Sequence, residues 1–266
     1  MRLFDASFDL VFSIGGNCAC AMFLKETRRR IQSSPFDWIA NASFTQRFDT
    51  LCGRFEDFLH KDNLVWFSHG VGDATNEIYA DRVTGYRFVH DFPKDMSFDE
   101  AFPGVRAKYD RRISRLLSQL DGGVSACLVW WSDVMHPTDA ECAACAERVR
   151  KAFPKSDCRV LVFENDPEAG PSRLDVRHLS PYCTKVVGAT APAGSGFFGD
   201  HDLNVRVFRG LRLGRKLAAN YRVYAFKRLI IHLLTFWHFN REDRKQARAR
   251  WRDRLIKAEP RAAVGW

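Results

Sequence analysis

The sequence predicts an α/β protein with a mainly parallel sheet flanked by helices and with a basic helical C-terminal extension. Two observations carry this prediction: near-continuous apolar segments alternate with helical ones, and positive charge is concentrated near the end of the chain. Parallel strands covered on both faces have such unbroken apolar runs. We expect an α/β domain over residues 1–202 and the basic helical extension over residues 203–266.

The first half of the chain opens with a strand and a helix. FDLVFSIG (8–15) is rich in β-forming residues, and a helical pattern follows over residues 19–31. Phenylalanines and leucines three and four residues apart predict a second helix over residues 41–60. The stretch from residue 65 to residue 92 indicates short strands around a glycine turn.

The middle of the chain predicts a long helix and then a β-α-β unit. The helix runs from about Ser97 to Leu120, with Ser97 as N-cap and Glu100 completing a capping-box pattern. A strand, a helix and a strand follow at 125–131, 138–152 and 158–165. The segment 188–202, rich in glycine, alanine and proline, is expected to be a loop.

Composition indicates an ordinary soluble protein that can bury a full core. Of the 266 residues, 46% are hydrophobic and 27% are charged. Asp5 and Asp9 interrupt any apolar signal-peptide region, and the longest strongly apolar run, Leu229–Phe239, is shorter than the ~20 residues of a membrane span. We therefore expect a cytoplasmic protein.

The C-terminal extension carries the excess positive charge. Residues 206–261 have a balance of +13, which leaves −4 for the remainder of the chain. An apolar helical stripe precedes the basic segment, and we expect either docking on the body or peripheral contact of residues 220–266 with an anionic membrane at the inner membrane face. The stripe comprises Ala225, Leu229, Ile230, Leu233, Leu234, Trp237 and His238. No recognition module for nucleic acid is visible, so no specific nucleic-acid partner is expected.

Eight cysteines are many for this length. Without a secretory signal we expect them to be reduced. Cys142 and Cys145 form a C-x-x-C motif, but the surrounding pattern is helical and no second ligand pair lies nearby, so buried small residues are favoured over a zinc site. We expect no metal and no cofactor.

Cys18 is the candidate nucleophile. It follows Gly15, Gly16 and Asn17 where the first strand gives way to a helix. The N-terminus of a helix favours a thiolate, and the amides near Gly16, together with the Asn17 side chain, are candidates to bind an oxyanion. The alternative interpretation is a glycine-rich turn with a buried structural cysteine.

These residues resemble a known family. The pattern S-x-G-x-N-C after a strand, PFDW about twenty residues later, YRFVHDF (86–92) and the arginine-rich helix YDRRISRLLSQL (109–120) resemble the bacterial DUF1796 family, labelled putative papain-like cysteine peptidases. The resemblance covers roughly residues 8–165. It implies Cys18 as nucleophile and His90 as general base.

The group that orients His90 is less defined by sequence. Asp91 is not favoured, because adjacent strand residues point to opposite faces. Asp133 and Asp166 both follow apolar strands, and Asp133 is preferred, although either could be a cap or turn residue. Asp37 in PFDW is expected to bind locally or to contact substrate.

Other residues leave further possibilities open. An arginine of the long helix that faced the site would favour an anionic substrate; the candidates are Arg111, Arg112 and Arg115. Asp200, His201 and Asp202 raise a rival design that resembles an SGNH-type esterase with cysteine in place of serine, but the usual two-residue gap between Asp and His is missing.

The expected function is that of a cysteine-dependent hydrolase or acyl transferase. Its substrate would be an unidentified peptide, amide or glycan-linked compound. The alternative is a non-catalytic binding protein for anionic glycan or nucleotide ligands in surface-polysaccharide assembly, in which the glycine-rich turn binds phosphate.

Overall fold

Nine strands, seven α-helices and a short 3-10 helix (Lys61–Asn63) lie in the residues that the computed structural model describes, namely 3–70, 75–132, 134–166, 174–189, 200–235 and 241–252. The chain divides into two units, Met1–Gly214 and Arg215–Trp266. In chain order the elements are β1 (Leu10–Ser13), α1 (Cys18–Glu26), β2 (Ile39–Asn41), α2 (Phe44–Cys52), β3 (Leu64–His69), β4 (Asn76–Asp81), β5 (Tyr86–Pro93), α3 (Phe98–Asp121), β6 (Ser125–Ser132), α4 (Asp139–Ala152), β7 (Asp157–Asp166), β8 (Leu174–Ser180), β9 (Cys183–Ala189), α5 (His201–Arg209), α6 (Arg215–Leu234) and α7 (Arg241–Arg252).

The larger sheet confirms the predicted fold class. Its strand order is β1-β6-β7-β9-β8, and all neighbouring pairs are parallel except β8 with β9. The carboxyl ends of its parallel strands therefore meet at one edge, where ligands of open α/β sheets usually bind. We call this the carboxyl edge.

Helices cover both faces of this sheet. Trp130 and Trp131 are successive residues of β6 and point to opposite faces, and both are fully buried. The Trp130 ring packs against Phe44 of α2 at 5.0 Å, whereas the Trp131 ring packs against Phe23 of α1 at 5.8 Å. Phe23 also stacks on Phe208 of α5, so α1 and α5 share one face.

A second sheet, which the sequence pattern did not predict as a sheet, contains β2, β5, β4 and β3 in that order, all antiparallel. Three of its strands fall in the region where short strands were expected. Strand β2 has only three residues, too few to show a periodic pattern. Strands β8 and β9 were not predicted either. Strand β8 (LDVRHLS) mixes apolar and polar residues, and all of its residues are partly or fully exposed.

Two helices are shorter than predicted. Helix α1 ends at Glu26, where the Thr27 hydroxyl donates to the Phe23 carbonyl at 2.7 Å and Arg28 takes a φ of 59°. Helix α2 ends at Cys52, yet Phe55 and Leu59 beyond it are still buried, with φ values of 64° and 60°. The apolar spacing thus correctly predicted burial but wrongly extended the helix.

The N-termini of α3 and α4 are fixed by local sequence. Ser97 and Glu100 form the predicted capping box, and Thr138 and Glu141 form a second one. Such reciprocal bonds satisfy two amides that the helix leaves without a carbonyl partner. In the part of the chain that the structure describes, no helix is both long and apolar enough to cross a bilayer.

Candidate active site

Cys18 lies at the carboxyl edge of the larger sheet. The Gly16 amide donates to the Trp131 carbonyl at 3.3 Å, which continues the β1–β6 ladder past the end of β1. Two residues later the chain enters α1 with Cys18 as its first residue, and the thiol is half-buried. The structure therefore confirms the predicted strand–turn–helix setting of this cysteine.

The turn uses several of its own polar groups. Gly15 donates its amide to the Ser13 hydroxyl at 3.2 Å, and Ala19 donates to the Asn17 side-chain oxygen at 2.9 Å, so Asn17 is the N-cap. Among the described residues, the amides of Asn17 and Cys18 donate to no other residue. The Gly16 amide, in contrast, is already bonded to the Trp131 carbonyl.

The resting thiol is not activated by its surroundings. Burial raises the pKa of Cys18 above its ordinary value, and the residue's own backbone N–H only partly offsets the rise. The expected lowering of this pKa is therefore absent, because desolvation of the thiolate outweighs the helix N-terminus. No imidazole in the described part of the chain forms a hydrogen bond with the Cys18 thiol. A base must approach for Cys18 to react.

His90 lies on the exposed side of β5. Its ring meets the Trp38 ring edge-on at 5.7 Å. The next residue, Asp91, is buried on the opposite side, where it pairs with Lys108 and accepts from the Tyr109 hydroxyl at 2.8 Å. Asp91 therefore ties β5 to α3 and does not orient His90, as the alternation of the strand predicted.

A buried arginine connects the His90 region to the Cys18 turn. One nitrogen of Arg47, Nη2, donates to the carbonyls of Gly16 at 3.0 Å and Ile39 at 3.2 Å. Trp38, whose ring contacts His90, precedes Ile39, and Gly16 lies two residues before Cys18. Arg47 therefore links the segment beside His90 to the Cys18 turn. Burial lowers the pKa of Arg47 to about 10.

Asp37 has a structural contact in place of the predicted substrate contact. Its side chain is fully buried, forms an ion pair with Arg30 and accepts from the Ser34 amide at 2.9 Å. Burial raises the pKa of the Asp37 carboxyl, and Arg30 and Ser34 offset part of that rise. This carboxyl therefore holds the turn before β2, which is the local role that was one of its two predicted roles.

The other predicted candidates fall into three groups. Asp133 lies outside the described residues. Arg115 donates to the Ser33 carbonyl at 2.5 Å and so supports the turn that precedes β2, whereas Arg112 lies over the ring of Tyr109 on its own helix at 5.5 Å. Asp200 is the N-cap of α5, which gives the Asp200–Asp202 segment a structural explanation.

Cys142 and Cys145 are buried on α4, as predicted. Within the described ranges, no group of three or more His, Cys, Asp or Glu side chains could hold a metal ion.

A polar cluster at the same edge, consisting of His136, Glu164 and Lys185, was not predicted from the sequence. The His136 Nδ1 atom lies 3.0 Å from Glu164 Oε2, and Lys185 Nζ lies 2.5 Å from Glu164 Oε1. Glu164 is almost completely buried. One signal was available: an acidic residue within the apolar strand CRVLVFEN requires a buried partner.

Comparison with known proteins gives one positive result. The searches of curated proteins and of solved structures found no match. A family model, described as putative papain-like cysteine peptidase (DUF1796), matches residues 9–155, which include the Cys18 turn, PFDW and His90. Because this match spans more than half of the chain, the protein belongs to the DUF1796 family.

Proposed function

We propose that the protein is a cysteine-dependent hydrolase or acyl transferase in which Cys18 is the nucleophile. The observation that carries the proposal is the half-buried Cys18 thiol at the first residue of α1, on the carboxyl edge, beside two amides without another partner. Membership of a family described as cysteine peptidases supports the same kind of chemistry. An amide or ester carbonyl of a peptide-like or glycan-linked substrate is the group such a thiol attacks.

The reaction follows from these groups. An imidazole accepts the Cys18 proton, and the thiolate then attacks the carbonyl carbon to form a C–S bond. The Asn17 and Cys18 amides would stabilise the oxyanion. The C–N or C–O bond breaks as the imidazolium returns its proton to the leaving group, and water or another acceptor cleaves the thioester.

His90 is the imidazole that the family resemblance implies. Its exposed position beside Trp38, together with the Arg47 contacts that connect β2 to the Cys18 turn, supports a place near the substrate. Asp133 stays a prediction for the residue that orients it. The cytoplasmic location also stays a prediction.

The turn is a poor cradle for phosphate, which counts against a non-catalytic binding function. Three of its amides, those of Gly15, Gly16 and Ala19, already donate to acceptors within the protein. A phosphate bound there would have to displace those bonds.

Thiol labelling tests the proposal without knowledge of the substrate. Cys52 is the matched control, because it is the other half-buried thiol and burial raises its pKa as well. We expect iodoacetamide at pH 7 to alkylate Cys18 at least tenfold faster than Cys52. We also expect p-nitrophenyl acetate to leave an acetyl group on Cys18, detected by mass spectrometry and lost in Cys18→Ala.

Two results would contradict the proposal. Equal, slow alkylation of Cys18 and Cys52 would mean that no base serves Cys18. Acetylation that persists in Cys18→Ala would mean that the nucleophile is another residue. If His90 is the base, His90→Ala slows alkylation of Cys18 and leaves that of Cys52 unchanged.

A further inference from the structure

The most completely oriented imidazole at the carboxyl edge is that of His136. Its Nδ1 atom contacts Glu164 Oε2 at 3.0 Å, while the other oxygen of Glu164 is held by Lys185 at 2.5 Å. Lys185 is fixed in turn by the Pro137 carbonyl at 2.6 Å and by Asp139 at 3.4 Å. Side chains of β7, β9 and α4 thus set the orientation of the His136 ring.

These contacts determine where the proton of His136 lies. Glu164 forms an ion pair with Lys185, and a carboxylate can only accept hydrogen bonds. His136 must therefore carry a proton on Nδ1, and in the neutral ring Nε2 is left as the basic nitrogen. Nε2 has no hydrogen-bond partner among the described residues, and the side chain is 44% exposed. This is the arrangement of a general base with an orienting carboxylate.

The loop that carries His136 reaches the Cys18 turn. Ser132 and Glu164 are direct neighbours across β6 and β7, and the Gly16 amide extends the ladder on the other side of β6. A Cβ atom built on Gly16 would come within 2.8 Å of the Met135 methyl carbon. Met135 precedes His136, so the loop that carries the imidazole touches the residue two before Cys18.

His90 lacks a comparable support. Its described neighbour is the Trp38 ring, and within the described ranges no carboxylate contacts its nitrogens. An imidazole that no described side chain orients must lose rotational freedom before it can accept a proton productively. The polar contacts therefore favour His136 as the base.

We propose that His136 Nε2 accepts the proton of the Cys18 thiol, with Glu164 and Lys185 as positioning residues. The proposal rests on Cys18 being the nucleophile and gives His136 the role that the family resemblance assigns to His90. The S–H bond breaks, Nε2 gains the proton, and a thiolate–imidazolium pair results. Glu164 accepts from the Nδ1–H of the imidazolium and so stabilises it, and Lys185 holds the other oxygen of Glu164 in place.

Other charged or titratable side chains lie near His136 and Glu164, and they also affect a pH experiment. Besides Glu164 of β7 and Lys185 of β9, Asp139 and Cys142 of α4 lie in this cluster. Arg177 of β8 contacts Asp139 at 3.6 Å. Burial raises the pKa of Cys142 to about 12, so it stays protonated over the range of interest.

The test is the pH profile of Cys18 alkylation by iodoacetamide, measured on the full chain from pH 5 to pH 10. We expect His136→Ala to lower the rate at pH 7 at least tenfold, because burial raises the pKa of the Cys18 thiol and no imidazole is then left to accept its proton. Free imidazole should restore part of the rate in this variant. His69→Ala is the matched control, because His69 is also an exposed imidazole paired with a glutamate, Glu77 at 2.9 Å.

Glu164 and Lys185 are tested together, because Glu164→Gln alone would leave a buried lysine without its charge partner and could unfold the chain. The double variant Glu164→Gln/Lys185→Met removes both charges. We expect a folded protein, checked by circular dichroism, whose alkylation profile moves towards that of His136→Ala. An unchanged profile would show that the two residues do not position the ring.

The outcomes separate this proposal from the proposed function. Loss of the fast reaction in His90→Ala with an unchanged His136→Ala would overturn the role of His136 and leave Cys18 as the nucleophile. Slow alkylation of Cys18 already in the wild type would overturn both. Loss in His136→Ala alone, with rescue by imidazole, would establish His136 as the base.

Discussion

Gly15 is the residue that allows α1 to start so close to the sheet. A Cβ atom on Gly15 would lie 2.6 Å from Cys20 Cβ and 3.1 Å from the Trp131 backbone nitrogen. Neither neighbour is the flexible end of a side chain. The glycine is therefore required by the packing of the first turn of α1 against β6, and it places Cys18 at the carboxyl edge.

We expect Gly15→Ala to lower the free energy of unfolding by about 1–3 kcal/mol, the usual cost of overpacking. Gly16→Ala is the control. Its new Cβ would meet the movable Met135 methyl carbon at 2.8 Å and otherwise nothing closer than 3.7 Å, so we expect a loss under ~1 kcal/mol. Urea unfolding followed by fluorescence measures both. A greater loss in Gly16→Ala would refute this account of the turn.

Among the elements, α6 has an apolar surface that is unusual for an exposed helix. Val223, Phe226, Leu229 and Leu233 are each more than half exposed and follow one another at intervals of three and four residues. Four members of the predicted stripe, Ala225, Leu229, Leu233 and Leu234, are exposed in the structure. Trp237 and His238 lie outside the described residues. Such a stripe beside many basic residues is typical of interfacial helices.

We predict that the protein binds anionic vesicles reversibly and in a salt-sensitive way through α6 and the basic segment that follows. Each basic residue near such a surface contributes about 1 kcal/mol. The double variant Phe226→Asn/Leu229→Asn should reduce co-sedimentation with anionic vesicles at least fivefold, whereas Asn220→Ser, an exposed polar change on the same helix, should not. Equal binding to neutral vesicles would contradict the prediction.

At the scale of the whole molecule, the distinctive chemical feature is the number of buried thiols. Burial raises the pKa of Cys145 to about 11 and that of Cys20, Cys142, Cys158 and Cys183 to about 12. In the unfolded chain these thiols would ionise near 9.0. Between these values the unfolded chain binds fewer protons than the folded one, so raising the pH favours unfolding.

We therefore expect stability to be fully retained below about pH 9 and to fall between pH 9 and pH 11 in reducing buffer. Each buried thiol contributes a slope of about 1.4 kcal/mol per pH unit in that range. Urea midpoints at pH 8 and pH 10.5 measure the total effect. Cys158→Ala removes one buried thiol, so the difference between the urea midpoints at pH 8 and pH 10.5 should shrink. An unchanged difference would argue against ionisation of buried thiols as the cause of the pH dependence.

Local features of the sequence determined much of the framework. The parallel sheet followed from unbroken apolar strands that alternate with helices, and the start of α3 followed from Ser97 and Glu100. The position of Cys18 at a strand–helix junction followed from the glycines before it. Each of these depends on residues that are close in sequence, which is why they could be predicted.

Only the tertiary structure decided the rest, because it depends on contacts between distant residues. The buried Arg30 pair removed Asp37 from the substrate-binding candidates, and desolvation raised the pKa of Cys18 against the helix N-terminal effect. His136, Glu164 and Lys185 come from a loop and two strands, and no spacing rule connects them. Strand register and burial bring these three side chains together. The sequence alone therefore pointed to Cys18 as the candidate nucleophile, whereas only the fold revealed His136 as a candidate base.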